Sequence, residues 1–164
     1  MLFRSVKRKG LGNLLKDRQP LFARQNGLAA LLWVVITGVS LAMYGRDWLH
    51  APWVMIVVAI PLAAMNGLCE ELFWRGLYVR AFPRNPWLAI LVPAIGFALW
   101  HFVPQMLYPS DNRAGFVLST FFLGLAYGWI AYRTGSAKWT AISHSVNGAL
   151  ALAAPLAQIL VSLL

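Results

Sequence analysis

Within an apolar run, the stretch NGLCEELFWRGLY places Glu70 and Glu71 side by side, with Arg75 four residues after the second carboxylate. A carboxylate and a cation at i and i+4 make a favourable helical pair, so Glu71 and Arg75 are expected to neutralise each other. Successive helical residues point about 100° apart, which turns Glu70 toward a different neighbour and leaves it without a cation. A packed carboxyl in that setting suits a general base. Two further segments carry chemistry. GFALWHF holds His101 with Phe97 one turn earlier, and AISHSVNGA holds His144 and Asn147 one turn apart, so that both point the same way. Taken singly, His101 could be a satisfied core histidine and Asn147 a helix-joining amide. Together, three segments each contribute a group suited to hydrolysis: carboxylates, an imidazole, and an imidazole with an amide.

The elements that carry these groups are those of a membrane protein. The chain has 164 residues, 60% hydrophobic and 12% charged, with a mean hydropathy of +0.64, whereas soluble domains are about 25% charged. Eight Trp, five Tyr and nine Phe supply rings that favour the headgroup level. A hydrocarbon core of about 30 Å takes roughly 20 helical residues, and five stretches qualify: 27–45, 52–80, 87–108, 114–133 and 138–164. Runs such as LAALLWVVITGVSLAMY lack the alternation of barrel strands, so the expected fold is all-α, a polytopic transmembrane bundle of about five spans. Pro61 and Pro93 predict kinks in the second and third spans. Pro155 leaves the last segment open between one tilted span and two broken pieces. No internal repeat or linker divides residues 27–164, which read as one transmembrane domain behind a basic segment, residues 1–26.

An ionisable group at the bilayer centre costs about 2.5 to 3.5 kcal/mol, so Glu70, Glu71, Arg75, His101 and His144 should converge in the bundle interior rather than face lipid. Counting about 1.5 Å per residue from the span ends sets His144 roughly 10 Å shallower than His101, a gap for kinks or tilt to absorb. His50, at a span end, reads as interfacial, and the single Cys69 excludes an internal disulfide and reads as a small packed hydrophobe.

The net charge of +9 does not indicate nucleic acid, because the cations punctuate apolar spans instead of covering one solvated face. With the N-terminus inside, the cytoplasmic segments 1–26, 80–86 and 133–138 hold eleven Lys and Arg, and the opposite loops hold only Arg46 and Arg113, each beside an acid, Asp47 and Asp111. That bias predicts an N-terminus on the cytoplasmic side. Residues 1–26 lack the apolar core of a signal peptide, so the N-terminus is expected to be retained. The small size is read as that of a bacterial inner-membrane protein.

These residues, in this order, resemble the CAAX-protease and bacteriocin-processing (CPBP, or ABI) intramembrane proteases. Glu70-Glu71-x-x-x-Arg75 matches EExxxR, Phe97-x-x-x-His101 matches FxxxH, and LGLAYGWIAYRTGS resembles the glycine-rich helix ending in TGS that usually follows. His144 opens the last motif, commonly HxxxN. Here Asn147 stands at i+3 and Gly148 at i+4, a departure that keeps Asn147 on the same helical face. The likeness covers roughly residues 60–150. It implies an endopeptidase in which Glu70 and His101 activate a water, His144 and Asn147 stabilise the oxyanion, and Glu71 and Arg75 brace the glutamate.

Two His and a Glu would also suit catalytic zinc, although no HExxH spacing is present, so a metal-free glutamic mechanism is expected with the zinc enzyme as its alternative. A non-catalytic membrane scaffold or chaperone is the reading from another class. The expected partners are the bilayer and a membrane-anchored or lipidated protein substrate. A C-terminal sorting or anchor segment is favoured over a prenylated CAAX tail.

Overall fold

The computed structural model describes residues 10–107 and 111–163; Arg4, Lys7, Arg8, Lys9, Tyr108 and Leu164 lie outside them. Six helices carry the architecture: α1 (Gly27–His50), α2 (Trp53–Ala81), α3 (Val92–Trp100), α4 (Phe102–Leu107), α5 (Arg113–Thr134) and α6 (Lys138–Leu163). Among the described residues there is no strand. Arg24–His50, Trp53–Ala81, Trp87–Met106 and Arg113–Thr134 are long and apolar enough to cross a membrane, and α6, at 26 residues, has the length to do so.

The packing is that of a bundle in lipid. Large apolar side chains such as Val39, Leu41, Val57, Met65 and Phe122 point outward, where hydrocarbon accepts them as readily as a core would. Helix contacts are made by small residues instead. Along α2, Ala59, Ala63 and Gly67 repeat every four residues and are buried, making a narrow stripe on which α6 seats itself. A Cβ added at Gly67 would lie 2.8 Å from the Ser145 backbone nitrogen, and one at Gly148 would lie 3.2 Å from the Ala63 Cβ, so the two helices touch almost backbone to backbone. The α3 helix meets α5 the same way, with Ala94 against Gly124.

The regular α-helix is interrupted at three places, none of them at Pro61, which lies inside the unbroken stretch Trp53–Glu71. One is the π-helical turn Leu72–Leu77, directly after the glutamate pair. Another is a turn at His101, between α3 and α4. The third is a second π-helical turn, Trp87–Leu91, and Pro93 follows it in the first turn of α3. Pro155 does not divide the last segment, since α6 runs on as one helix.

Residues 10–26 fold back onto one end of the bundle. Arg18 and Gln19 donate their backbone N–H groups to the Thr134 carbonyl, and Ala137 donates to that of Leu14. Asp17 accepts from Ser136 and Trp139 and pairs with Lys138, while Arg80 caps the carbonyls of Asn13 and Lys16. Lys16, Arg18, Arg80, Arg133 and Lys138 therefore gather at a single end of the bundle.

Candidate active site

The small-residue stripe of α2 continues one further step, from Gly67 to Glu71, and so carries that carboxylate into the contact with α6. Glu71 is fully buried and Arg75 is 1% exposed, and their ion pair is 2.9 Å long. The π-helical turn holding Arg75 aims its guanidinium across the bundle, with Cζ 4.1 Å from the Phe97 ring centroid and 5.6 Å from that of Tyr127. Two aromatic faces thus share the cation with one carboxylate.

The second partner of Glu71 comes from α6. His144 Nδ1 stands 2.9 Å from the same Oε1 that binds Arg75, and because a carboxylate accepts, Nδ1–H is the donor. That contact fixes the ring and directs Nε2 toward Glu70, whose Oε2 is 3.7 Å away, an ion-pair distance too long for a hydrogen bond. The two glutamates are consequently unlike. Glu71 Oε1 binds both Arg75 and His144, whereas Glu70 has only the longer ion pair with His144; the Oε2 atom of each is buried with no hydrogen-bond partner among the described residues.

Glu70 also borders an opening. A cleft of about 330 Å³ is lined by Asn66, Cys69, Glu70, Phe73, Trp74 and Trp100, of which Phe73 and Trp100 are exposed. Cys69, expected from the sequence to pack inside, is instead exposed on this cleft. Its position, two residues off the buried stripe, turns it away from α6.

His101 closes α3 and donates Nδ1–H to the Phe97 carbonyl at 2.7 Å, which leaves Nε2 with a free lone pair. Phe97, fully buried, joins the two histidines: its ring lies 4.4 Å from His101 and 6.1 Å from His144, and 6.4 Å from Trp74. The two histidines thus flank one aromatic ring at the point where the third span breaks. Among the described residues no hydrogen bond or ion pair joins His101 to Glu70 or His144, so the structure gathers Glu70, Glu71, Arg75 and His144 directly and places His101 beyond Phe97. No group of three His, Cys, Asp or Glu among the described residues is placed to hold a metal ion.

Asn147 reaches a different set of neighbours. Its Nδ2 donates to Tyr127 Oη at 3.1 Å and to Ser143 Oγ at 3.4 Å. Tyr127 donates to Ser143 at 2.9 Å, and Ser143 meets Thr37 of α1 at 2.8 Å. Tyr127, Ser143 and Thr37 were not marked by sequence reasoning. The available signal was spacing: Ser143 precedes Asn147 by one turn, and Tyr127 lies in the glycine-rich helix among residues too small to fill the interior.

With this geometry in hand, the comparisons with known proteins are specific. The model of the family described as "Type II CAAX prenyl endopeptidase Rce1-like" matches residues 50–150, over half of the chain and every residue of the site just described except Thr37. No curated protein and no solved structure shows a significant match.

Proposed function

Since the chain belongs to the type II CAAX prenyl endopeptidase Rce1-like family, and is an integral membrane protein by its spans, we propose that it hydrolyses a peptide bond in a membrane-anchored or lipidated protein at Glu70. The observation that carries this reading is the inequality of the two carboxylates: Glu71 Oε1 holds Arg75 and His144, while Glu70 has no hydrogen bond among the described residues, only a longer ion pair with His144, and lines an open cleft.

Glu70 takes a proton from a water in the cleft, with the free Nε2 of His101 aiding, and the resulting hydroxide adds to the carbonyl carbon. The carbonyl oxygen becomes negative. His144, in its protonated form, offers Nε2–H to that charge while Nδ1–H stays on Glu71, and the Asn147 amide offers a second N–H. The proton held by Glu70 then passes to the leaving amine as the peptide bond breaks. A helical substrate must unwind locally to expose its carbonyl inside a membrane, which suits a terminal apolar or lipid-bearing segment entering sideways through the cleft. We assign this chemistry to the protein's own side chains without a metal, acting at a bacterial inner membrane with the N-terminus cytoplasmic.

The test is cleavage by purified protein in liposomes, offered a farnesylated CAAX peptide and a protein bearing a C-terminal apolar anchor. One or both should be cut, and Glu70→Gln should lose the activity while inserting normally. Cleavage that survives Glu70→Gln rules the assignment out. Elemental analysis addresses metal separately: active protein should carry no stoichiometric zinc and should resist chelators, and a bound zinc whose removal and return switch activity off and on would establish the metalloenzyme.

A further inference from the structure

The Asn147 amide, in the orientation described, spends both of its N–H groups on Tyr127 and Ser143 and leaves Oδ1 buried without a partner. A buried orphaned acceptor is costly, and an amide whose donors are committed has none to give to an oxyanion. If the amide is turned end for end about its last side-chain bond, Oδ1 takes the place beside Tyr127 and Ser143, and the group left unpaired becomes the Nδ2 donor, which developing negative charge can satisfy as it could not satisfy an orphaned acceptor.

We infer that Tyr127 is the positioning residue for Asn147, its hydroxyl donating to Oδ1 and so holding Nδ2–H turned toward the reacting carbonyl. This rests on the oxyanion role proposed above for Asn147. The same contacts of 2.8, 2.9 and 3.1 Å accept this with the Tyr127–Ser143 and Asn147–Tyr127 bonds reversed from the sense given above: Thr37 donates to Ser143, Ser143 to Tyr127, and Tyr127 to Asn147. Each hydroxyl and Oδ1 then has a partner, the Nδ2–H groups alone stay unpaired, and the chain of donors ends on the helix face that Asn147 shares with His144. Tyr127 is well held for this task. It is fully buried in α5, with its ring 6.0 Å from that of His144 and 5.6 Å from the Arg75 guanidinium, so its hydroxyl has little freedom to move.

Tyr127→Phe keeps the ring and removes only the donor. On the liposome substrate it should lower kcat by about 10- to 100-fold, toward the loss caused by removing one oxyanion donor, with KM within about threefold. In an Asn147→Ala background it should cause no further loss, because the group it positions is gone. Independently of turnover, the side-chain carbonyl carbon of Asn147, labelled with ¹³C and identified by its loss in Asn147→Ala, should move upfield in Tyr127→Phe as its hydrogen bond disappears.

An unchanged carbonyl signal, a Tyr127→Phe enzyme with wild-type kcat, or a loss that multiplies in full on that of Asn147→Ala would each overturn the assignment. If Asn147→Ala itself turns over normally, the oxyanion role of Asn147 fails instead, and the carbon signal alone still decides the orientation of the amide.

Discussion

At the scale of single residues, one step of helical rotation puts two adjacent glutamates in unlike surroundings. Glu71 belongs to the every-fourth-residue stripe that faces α6, so it is buried and must be neutralised; Glu70 is one step off that stripe and borders the cleft. The cost of removing partners should differ accordingly. Arg75→Ala strands a fully buried carboxylate, a change on the order of 3 to 5 kcal/mol, and should sharply lower the yield of folded protein on size exclusion in mild detergent. His101→Ala should abolish cleavage while leaving folded yield near wild type, because the imidazole is half-buried and donates a single hydrogen bond within its own turn. A His101→Ala protein that still cleaves would remove the imidazole from the water-activating pair.

Among the elements, the contact of α2 with α6 does most to set the site, because it brings the glutamate pair to His144. Its closeness depends on Gly67. A side chain there would meet the Ser145 backbone, which cannot rotate away. Gly67→Val should therefore destabilise the protein by about 1 to 3 kcal/mol, as overpacking does, lowering the thermal midpoint in detergent and activity with it. Gly38, on an open face of α1 with nothing within 4 Å, is the control: Gly38→Ala should be neutral or slightly stabilising by helix propensity alone. Equal effects of the two substitutions would show that the close approach is not what holds the helices. The π-helical turn after Glu71 belongs to the same design, since the turn that carries Arg75 follows the carboxylates directly and brings the guanidinium between Phe97 and Tyr127.

For the whole molecule, the basic segment has two consequences. Its charge predicts orientation in the membrane, and its residues 10–26 also tie the ends of α2, α5 and α6 together through Asp17, Leu14 and Arg18. Single cysteines at positions 84 and 138, in a Cys69→Ser background that removes the exposed native thiol, should resist an impermeant thiol reagent in intact cells, and cysteines at 47 and 111 should react. The reverse pattern would invert the topology and place the N-terminal strap outside.

The all-helical class, the spans and the identity of the polar residues were legible in the amino-acid sequence, because each follows from local rules. A stretch of about 20 apolar residues has only one way to satisfy its backbone in lipid, and a carboxylate or imidazole inside such a stretch has to be explained. Even the inward direction of Glu71 was legible in principle, as the continuation of Ala59, Ala63 and Gly67 at intervals of four. The continuity of α6 through Pro155, the break at His101 and the π-helical turn at Leu72–Leu77 were not, since packing against neighbouring helices decides which backbone irregularities are kept. Nor could spacing show that His144 would bridge the two glutamates or that Tyr127, 20 residues before Asn147, would be its hydrogen-bond partner. Those contacts join different helices, and the distance between two helices is fixed by the side chains packed between them, which only the assembled bundle determines.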